Sequence, residues 1–387
     1  MTRYVLGEML KVLVAATAGI MLMMLLVGAG REAWEYSLPL SCTVRLLPYL
    51  LPDALRVGIP VALLLAVVTT FGRLGGFNEL LAIKAAGISP APILGPVLAV
   101  AFGLSLFTVW MNDLAASWGR QGIRQVVIAA AEDIVYGLLR LQHRFQQGRV
   151  TIQVSGVVGR RLLEPILVIY GSGDEPAITA SAQEAELRGD SRTGTLRLTL
   201  RNGTIEVGGQ ARVQFPDTYE QEIRLVDKAD SGRLLPPSWL PLRDIPAEVS
   251  RCLARIQEYR AKLADGPNRG SNPTISPGEQ ERVLRELRNL VQYYHRLRTE
   301  PFRRWAAGFS CLGFALVGSG MAIRLRQREL VTAFFLCFAP ILVAYYPLLA
   351  WTVDAAKGGV IPPWGVWLGN VLCGVWGGGL LWQDFRH

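Results

Sequence analysis

Six long apolar runs alternate with polar sequence along the chain, three on each side of a long polar middle. They cover residues 12–30, about 46–71, about 91–111, about 305–323, about 330–353 and about 364–382. At about 1.5 Å per helical residue the first run, about 19 residues, reaches about 28 Å, close to the thickness of a bilayer's hydrocarbon core. That run is too long for the apolar part of a signal peptide, and no A-x-A site follows it, so it is expected to stay as the first of six spanning helices.

The polar middle changes character along its length. Residues 114–141 suit a helix or connector, after which the pattern turns to β structure. ILVIY (166–170) is a short buried-strand run, and TLRLTL (195–200) alternates with period two. Asn202-Gly203 then suggests a type I′ turn with TIEV (204–207) returning, the strongest hairpin signal in the chain. ARVQF (211–215) and QEIRLV (221–226) continue the series, and short strands at this spacing predict a sandwich or open jellyroll. PPSWLPLRDIP (236–246), a helix over 247–264, the turn-rich DGPNRGSNPTISPGE (265–279) and a charged amphipathic helix over 280–300 lead back to apolar sequence. The expected architecture is an α-helical polytopic membrane protein, three plus three helices, with an inserted β-jellyroll-like domain. Its divisions fall at 1–112, 113–245, 246–300 (a helical hairpin) and 301–387.

Composition agrees with that alternation. Of 387 residues, 51% are hydrophobic yet 18% are charged, and the net charge is +9; mean hydropathy is +0.29, too apolar for an ordinary soluble chain. No aromatic-basic RNA motif or zinc-finger spacing accompanies the basic excess, which argues against a nucleic-acid partner. Basic residues at membrane edges account for it: Arg3, Lys11, Arg73, Lys84, Arg324, Arg326, Arg328 and Arg386 fall on one side, against Arg31, Arg45 and Lys357 on the other. The positive-inside rule then places both termini in the cytoplasm and the β domain outside. The five cysteines are dispersed and form no CxxC pair or metal-ligand spacing with the three histidines; a Cys42–Cys252 bridge is possible if both face an oxidising compartment.

Catalytic signatures are missing. There is no GxxxxGK[ST], GxSxG, HExxH or SxxK, so neither a catalytic residue, a metal site nor a cofactor is expected. Asp53 and Asp354 stand out as acids near span ends, both at the interface, so buried titratable groups are not expected either. Met21 and Met24 in the first run offer polarizable surface for acyl chains, or simply face lipid. Arg31 and Arg45 have the guanidinium geometry to hold head-group phosphates, or snorkel at the interface.

One stretch between the second and third runs, FGRLGGFNELLAIKAAGIS (71–89), carries the signals of a short helix. Asn78 is a fitting N-cap, Glu79 lies in the positive first turn and Gly87 marks the stop. About two turns, with Leu80 and Ile83 apolar and Lys84 polar, are marginal alone in water, so this is either an interfacial loop or a small helix presented to a partner.

The Glu-led short helix, K-A-A-G-I-S (84–89), and the apolar run ending in M-N-D (111–113) together resemble the lipopolysaccharide-export permeases, the LptF/LptG family. ITASAQEAELRGD (178–190) before LRLTLRNGTIEV (196–207) is similar to that family's periplasmic jellyroll, and VIPPW (360–364) with Trp367, Leu368 and Asn370 to its closing motif. Departures occur at Ser117 and Gly369, where the family usually carries proline. The resemblance implies a permease subunit of an ATP-driven exporter in the bacterial inner membrane. It implies that a cytoplasmic ABC-type ATPase dimer docks on Glu79, Leu80, Ile83, Lys84 and Gly87. It also implies pairing with a second LptF/LptG-like permease, as homodimer or heterodimer, and delivery of a glycolipid to a periplasmic jellyroll bridge protein. On that reading the apolar edge positions Ile166, Val168, Leu196, Leu198 and Ile205 line an acyl path, although a sandwich core explains them as well. The competing class is a non-transporting membrane protein whose β domain binds a periplasmic ligand or protein; it leaves six spans unexplained.

Overall fold

A computed structural model describes residues 2–36, 40–76, 85, 91–129, 131–147, 150–170, 178–190, 195–207, 211–224, 236–264, 277–325 and 329–386. Six of its helices are long and apolar enough to cross a membrane, over Arg3–Arg31, Thr43–Gly76, Ile93–Ile123, Glu281–Leu325, Val331–Lys357 and Pro363–Asp384. The chain divides into two compact units. The first comprises Met1–Leu25, Leu51–Gly119 and Pro236–His387; the second comprises Leu26–Leu50 and Arg120–Leu235.

The helices of the first three runs are α1 (Thr2–Tyr36), α2 (Leu40–Gly76) and α3 (Ala91–Leu114). A π-helical turn (Ala115–Gly119), α4 (Arg120–Ala129) and α5 (Ala131–Gln142) follow. Beyond the strands come α6 (Ile245–Ala264) and α7 (Pro277–Leu325), the latter an unbroken helix joining the charged amphipathic stretch to the fourth span through Pro301. The fifth span is α8 (Leu330–Pro340), a π-helical turn (Ile341–Tyr345) and α9 (Tyr346–Lys357). Pro340 supplies no N–H and crowds the preceding turn, a local reason for the widened hydrogen-bond ladder there. A 3₁₀ turn (Pro363–Trp367) opens α10 (Leu368–Arg386).

Within the first unit α2, α3, α8, α9 and α10 pack on α7, and small residues set the spacing. A Cβ on Gly308 would come within 2.9 Å of the Val109 backbone nitrogen, one on Gly318 within 2.7 Å of the Leu64 side chain, and one on Gly377 within 2.7 Å of the Leu316 backbone. Backbones approach this closely only where side chains are absent, which is how helices associate when lipid tails match the core in polarity. Polar contacts mark the two ends of the bundle. At one end Arg73 of α2 pairs with Glu8 of α1, and Arg324 of α7 pairs with Asp384 of α10 at 3.1 Å. Gly75 lies against the Ile323 carbonyl at the same end. The opposite end holds Asp113, Arg304 and the turn after Pro236.

In the second unit, β1 (Arg144–Gln147), β2 (Val150–Gln153), β3 (Gly156–Val158), β4 (Arg161–Leu163), β5 (Ile166–Ile169), β6 (Ile178–Asp190), β7 (Thr195–Val207) and β8 (Ala211–Arg224) make one antiparallel sheet. Its registers reveal a bent sheet rather than eight independent strands. β4 and β5 pair with one edge of β6 in a single register, Leu163 opposite Glu184 and Ile166 opposite Ser181, interrupted only at Glu164-Pro165. β3 and β2 continue each other in the same way against β4 and β5. The buried face changes parity at this line: Ala180 on one side of Gln183 but Ala185 and Leu187 on the other, Leu198 and Leu200 before Asn202 but Ile205 after it. Both halves bury their inner residues in one core, with Ile152, Leu167 and Ala180 from one half and Leu162, Leu187 and Leu198 from the other. The sheet therefore turns a corner, the way strands pass between the layers of an orthogonal packing.

The corner corrects the hairpin expected at Asn202-Gly203. β7 runs straight through these residues, paired with β6 on one side and β8 on the other, and a bulge in β8 falls opposite them. Asn202 takes the positive φ (51°) that a type I′ turn would also require, as does Glu164 (48°) on the same corner line. Gly203 is demanded by space, since a Cβ there would meet the Ser181 carbonyl oxygen and the Phe215 ring. Helix α5 completes the core with Val135, Tyr136 and Leu139. The Tyr136 hydroxyl donates to the Arg160 carbonyl at 2.6 Å and accepts the Leu187 N–H at 3.0 Å; burial pushes its phenol pKa up.

Candidate functional site

Where α3 ends and the apolar part of α7 begins, a charged network is buried. Arg304 is 1% exposed and Glu300 2%. Glu300 and Arg304 are one helical turn apart on α7, and Arg304 Nε donates to Glu300 Oε1 at 3.2 Å; Arg303 grips both oxygens of the same carboxylate, Nη2 to Oε1 at 2.5 Å and Nε to Oε2 at 3.0 Å. Arg304 Nη1 donates to Asp113 Oδ1 at 2.8 Å. Its Nη2 donates to the Leu240 carbonyl at 2.8 Å and to those of Pro237 and Ser238 at 3.4 Å. Asp113 Oδ1 also accepts the Leu242 N–H at 2.8 Å. Proline at 236, 237 and 241 limits this segment to a single 3₁₀ turn, which leaves its carbonyls within reach of the guanidinium. A guanidinium with five donors suits this set of oxygens as an ammonium would not.

The network was not expected from sequence, and it corrects the expectation that no titratable group near a span end is buried. Two local signs were present: the i, i+4 spacing of Glu300 and Arg304 where polar sequence turns apolar, and Asp113 closing the M-N-D motif. What joins them is a contact between residues 191 positions apart in the chain, which periodicity does not register.

The positions singled out from sequence are distributed as follows. Glu79, Leu80, Ile83, Lys84 and Gly87 lie outside the described residues. Arg31 on α1 and Arg45 on α2 are exposed. Met24 is exposed and Met21 half-buried on α1. Among the β positions Leu198 is fully buried, Ile205 packs on the same core, Val168 is half-buried and Ile166 is exposed. None belongs to an edge strand, because β5 lies between β2 and β6, and β7, which also carries Leu196, lies between β6 and β8. Cys252 is a buried free thiol 3.6 Å from the Leu290 carbonyl, so it forms no bridge to Cys42. Of the two departures from the family pattern, Gly369 has a local account: a Cβ there would sit 3.1 Å from the Tyr345 ring. Ser117 lies in the π-helical turn and donates to the Asp113 carbonyl at 2.8 Å, a bond proline has no hydroxyl to make.

Six helices long and apolar enough to cross a membrane and an inserted antiparallel sheet define a multi-pass membrane protein with a β unit between its third and fourth spans. Residues 3–383 match the family described as lipopolysaccharide export system permease LptF/LptG, and the chain belongs to that family. It is thereby a permease component of lipopolysaccharide export and a multi-pass protein of the inner membrane. No curated protein matches it.

Proposed function

We propose that the chain is one permease half of an ATP-driven exporter that draws lipopolysaccharide, or a similar anionic glycolipid, from the inner membrane. The observation that carries this reading is the family match over residues 3–383, together with six apolar helices, three before and three after the β unit in the chain. Glu79, with Leu80, Ile83, Lys84 and Gly87, forms the short cytoplasmic element on which an ABC-type ATPase dimer docks, and Glu79 meets a basic residue of that ATPase. Partial desolvation makes such a pair stronger than an exposed one. A second LptF/LptG-like permease completes the cavity. Arg31 and Arg45 hold head-group phosphates, Met21 and Met24 border the acyl chains in the membrane, and the β unit, outside the cytoplasm, hands the lipid to a periplasmic jellyroll bridge. Leu198 and Ile205, with Leu196 on the same strand, belong to the acyl path there, whereas Ile166 and Val168 alternate with buried Leu167 and face away from that core. The basic residues gathered at the Arg73 and Arg324 end of the bundle support cytoplasmic termini.

The test is purification of the tagged chain from native membranes in mild detergent, wild type beside Glu79→Arg, with each eluate assayed for a co-purifying ATPase and for bound glycolipid. Loss of the ATPase from the variant alone supports the docking role. Absence of an ATPase from both, under conditions that preserve other membrane complexes, refutes it.

A further inference from the structure

The hairpin of α6 and the first half of α7 has no part in the function proposed above, yet its placement is unusual. Its two helices close on a buried seam of Cys252, Ile256, Leu290, Tyr293 and Leu297. At 100° per residue, Arg285, Arg288 and Arg296 fall within an arc of about 80° on α7, turned away from that seam. All three are exposed. Arg285 shares Glu281 at 3.4 Å, an exposed pair of little strength. Arg288 and Arg296 make no ion pair among the described residues. The stripe is thus a cationic surface whose charge is left largely uncompensated.

Height separates Arg285 and Arg288 from ordinary interfacial arginines, whereas Arg296 adjoins the loop. His295 is level with Gly359 in the short loop between the fifth and sixth spans, where a Cβ on Gly359 would lie 2.9 Å from its ring. The helix N-terminal to His295 therefore stands clear of the loop. At about 1.5 Å per residue Arg288 lies about 10 Å and Arg285 about 15 Å beyond that level. Each head-group layer of a bilayer is only about 5–8 Å deep. With that loop at the membrane surface, as the transport reading places it, phosphates of ordinary phospholipids stop short of Arg285 and Arg288. An anion that reaches them must extend from the membrane on a long polar head.

We propose that the α7 stripe Arg285, Arg288 and Arg296 is a binding surface for the phosphorylated saccharide head of the exported lipid, Arg296 at the level of the loop and Arg288 and Arg285 engaging anionic groups that project beyond the phospholipid head groups. This deepens the transport reading and rests on it. Guanidinium forks match phosphate oxygens in two-point geometry, and successive cations along a rod match phosphates spaced along an extended head.

The experiment uses the full chain in nanodiscs, as wild type and as the Arg285→Gln/Arg288→Gln/Arg296→Gln variant. The probes are lipopolysaccharide with a phosphorylated core saccharide and the same lipid stripped to its lipid A. Wild type is expected to prefer the complete lipid by about tenfold, the scale of one charge-assisted contact, and the variant to lose that preference while binding lipid A as before. These positions are exposed and outside the seam, so the variant should fold; an unchanged thermal midpoint verifies it. A variant that keeps the preference overturns the proposal, as does a wild type that shows none or that loses it equally to phosphatidylglycerol. A wild type that binds neither probe removes this surface and counts against the cargo reading as well. ATPase co-purification separately decides the docking role.

Discussion

Arg304 Nη1 and Asp113 Oδ1 lie 2.8 Å apart, and this pair ties together two crossings of the chain. The chain leaves the first unit after Asp113 and Gly119 and returns to it at Pro236, and the same guanidinium holds the carbonyls of the returning segment. The outgoing and incoming tethers are closed into a loop at one buried point.

Removing Arg304 leaves Glu300 buried with only Arg303, and frees Asp113 and the 236–242 turn. Arg304→Ala is expected to cost about 3–5 kcal/mol, the usual penalty for breaking a buried pair from one side. Asp113→Asn keeps an oxygen for the Leu242 N–H and should cost less, about 1–3 kcal/mol. Thermal unfolding of the purified protein in detergent ranks the two; equal midpoints for Arg304→Ala and wild type would refute the tie.

Tyr136→Phe deletes the bond to the Arg160 carbonyl and leaves the buried Leu187 N–H without its acceptor. A loss of about 1–3 kcal/mol is expected. Burial raises the folded-state pKa of this phenol above its unfolded value near 10. Its contribution is therefore intact below about pH 10 and lost as the pH rises through the folded value. In thermal melts of wild type and Tyr136→Phe taken from about pH 8 upward, the difference should hold up to about pH 10, the ordinary phenol value, and narrow as the pH rises above it.

Two glycines of α10 should respond oppositely to the same change. A Cβ on Gly377 meets the Leu316 backbone, while one on Gly374 meets nothing within 4 Å. Gly377→Ala is expected to destabilise by about 1–3 kcal/mol through overpacking. Gly374→Ala should be neutral or stabilising by up to about 1 kcal/mol. Paired melting curves decide it.

Cys252 is sealed in the hairpin seam, and burial pushes its thiol pKa up. Its thiolate is scarce at neutral pH, so maleimide at pH 7 (about 1–2 units below an ordinary thiol pKa) is expected to modify it only after denaturation. Mass spectrometry of peptides from native and denatured samples reads this directly, and rapid native labelling would show the seam to be open.

The spans were legible because a lipid-facing or core-facing helix must be apolar for its whole length, and no long-range information is needed to see it. Residues 195–207 show where local reading stops. Asn202 at positive φ followed by Gly203 satisfies a type I′ turn and a strand corner equally well, and only the pairing of β7 on both sides chooses between them. Arg304 and Asp113 fail to announce themselves for a related reason: each resembles an ordinary charge at a span edge until the fold brings them together. Gly369 was visible as a departure from the family pattern, but the Tyr345 ring that explains it comes from another span.

The corner in the β sheet has a mechanical consequence. Its two halves are not separate layers held by side chains alone; they are made from the same backbones, which pass from one to the other at Glu164-Pro165, Gln183, Asn202 and Pro216-Asp217. The unit is built like a folded clip, seamless along its crease. The crease is carried by covalently continuous strands, so any dilation to admit a guest must begin at a lateral edge of the sheet. There β1 and β3 are short, terminal in the pairing order, and held by far fewer backbone bonds.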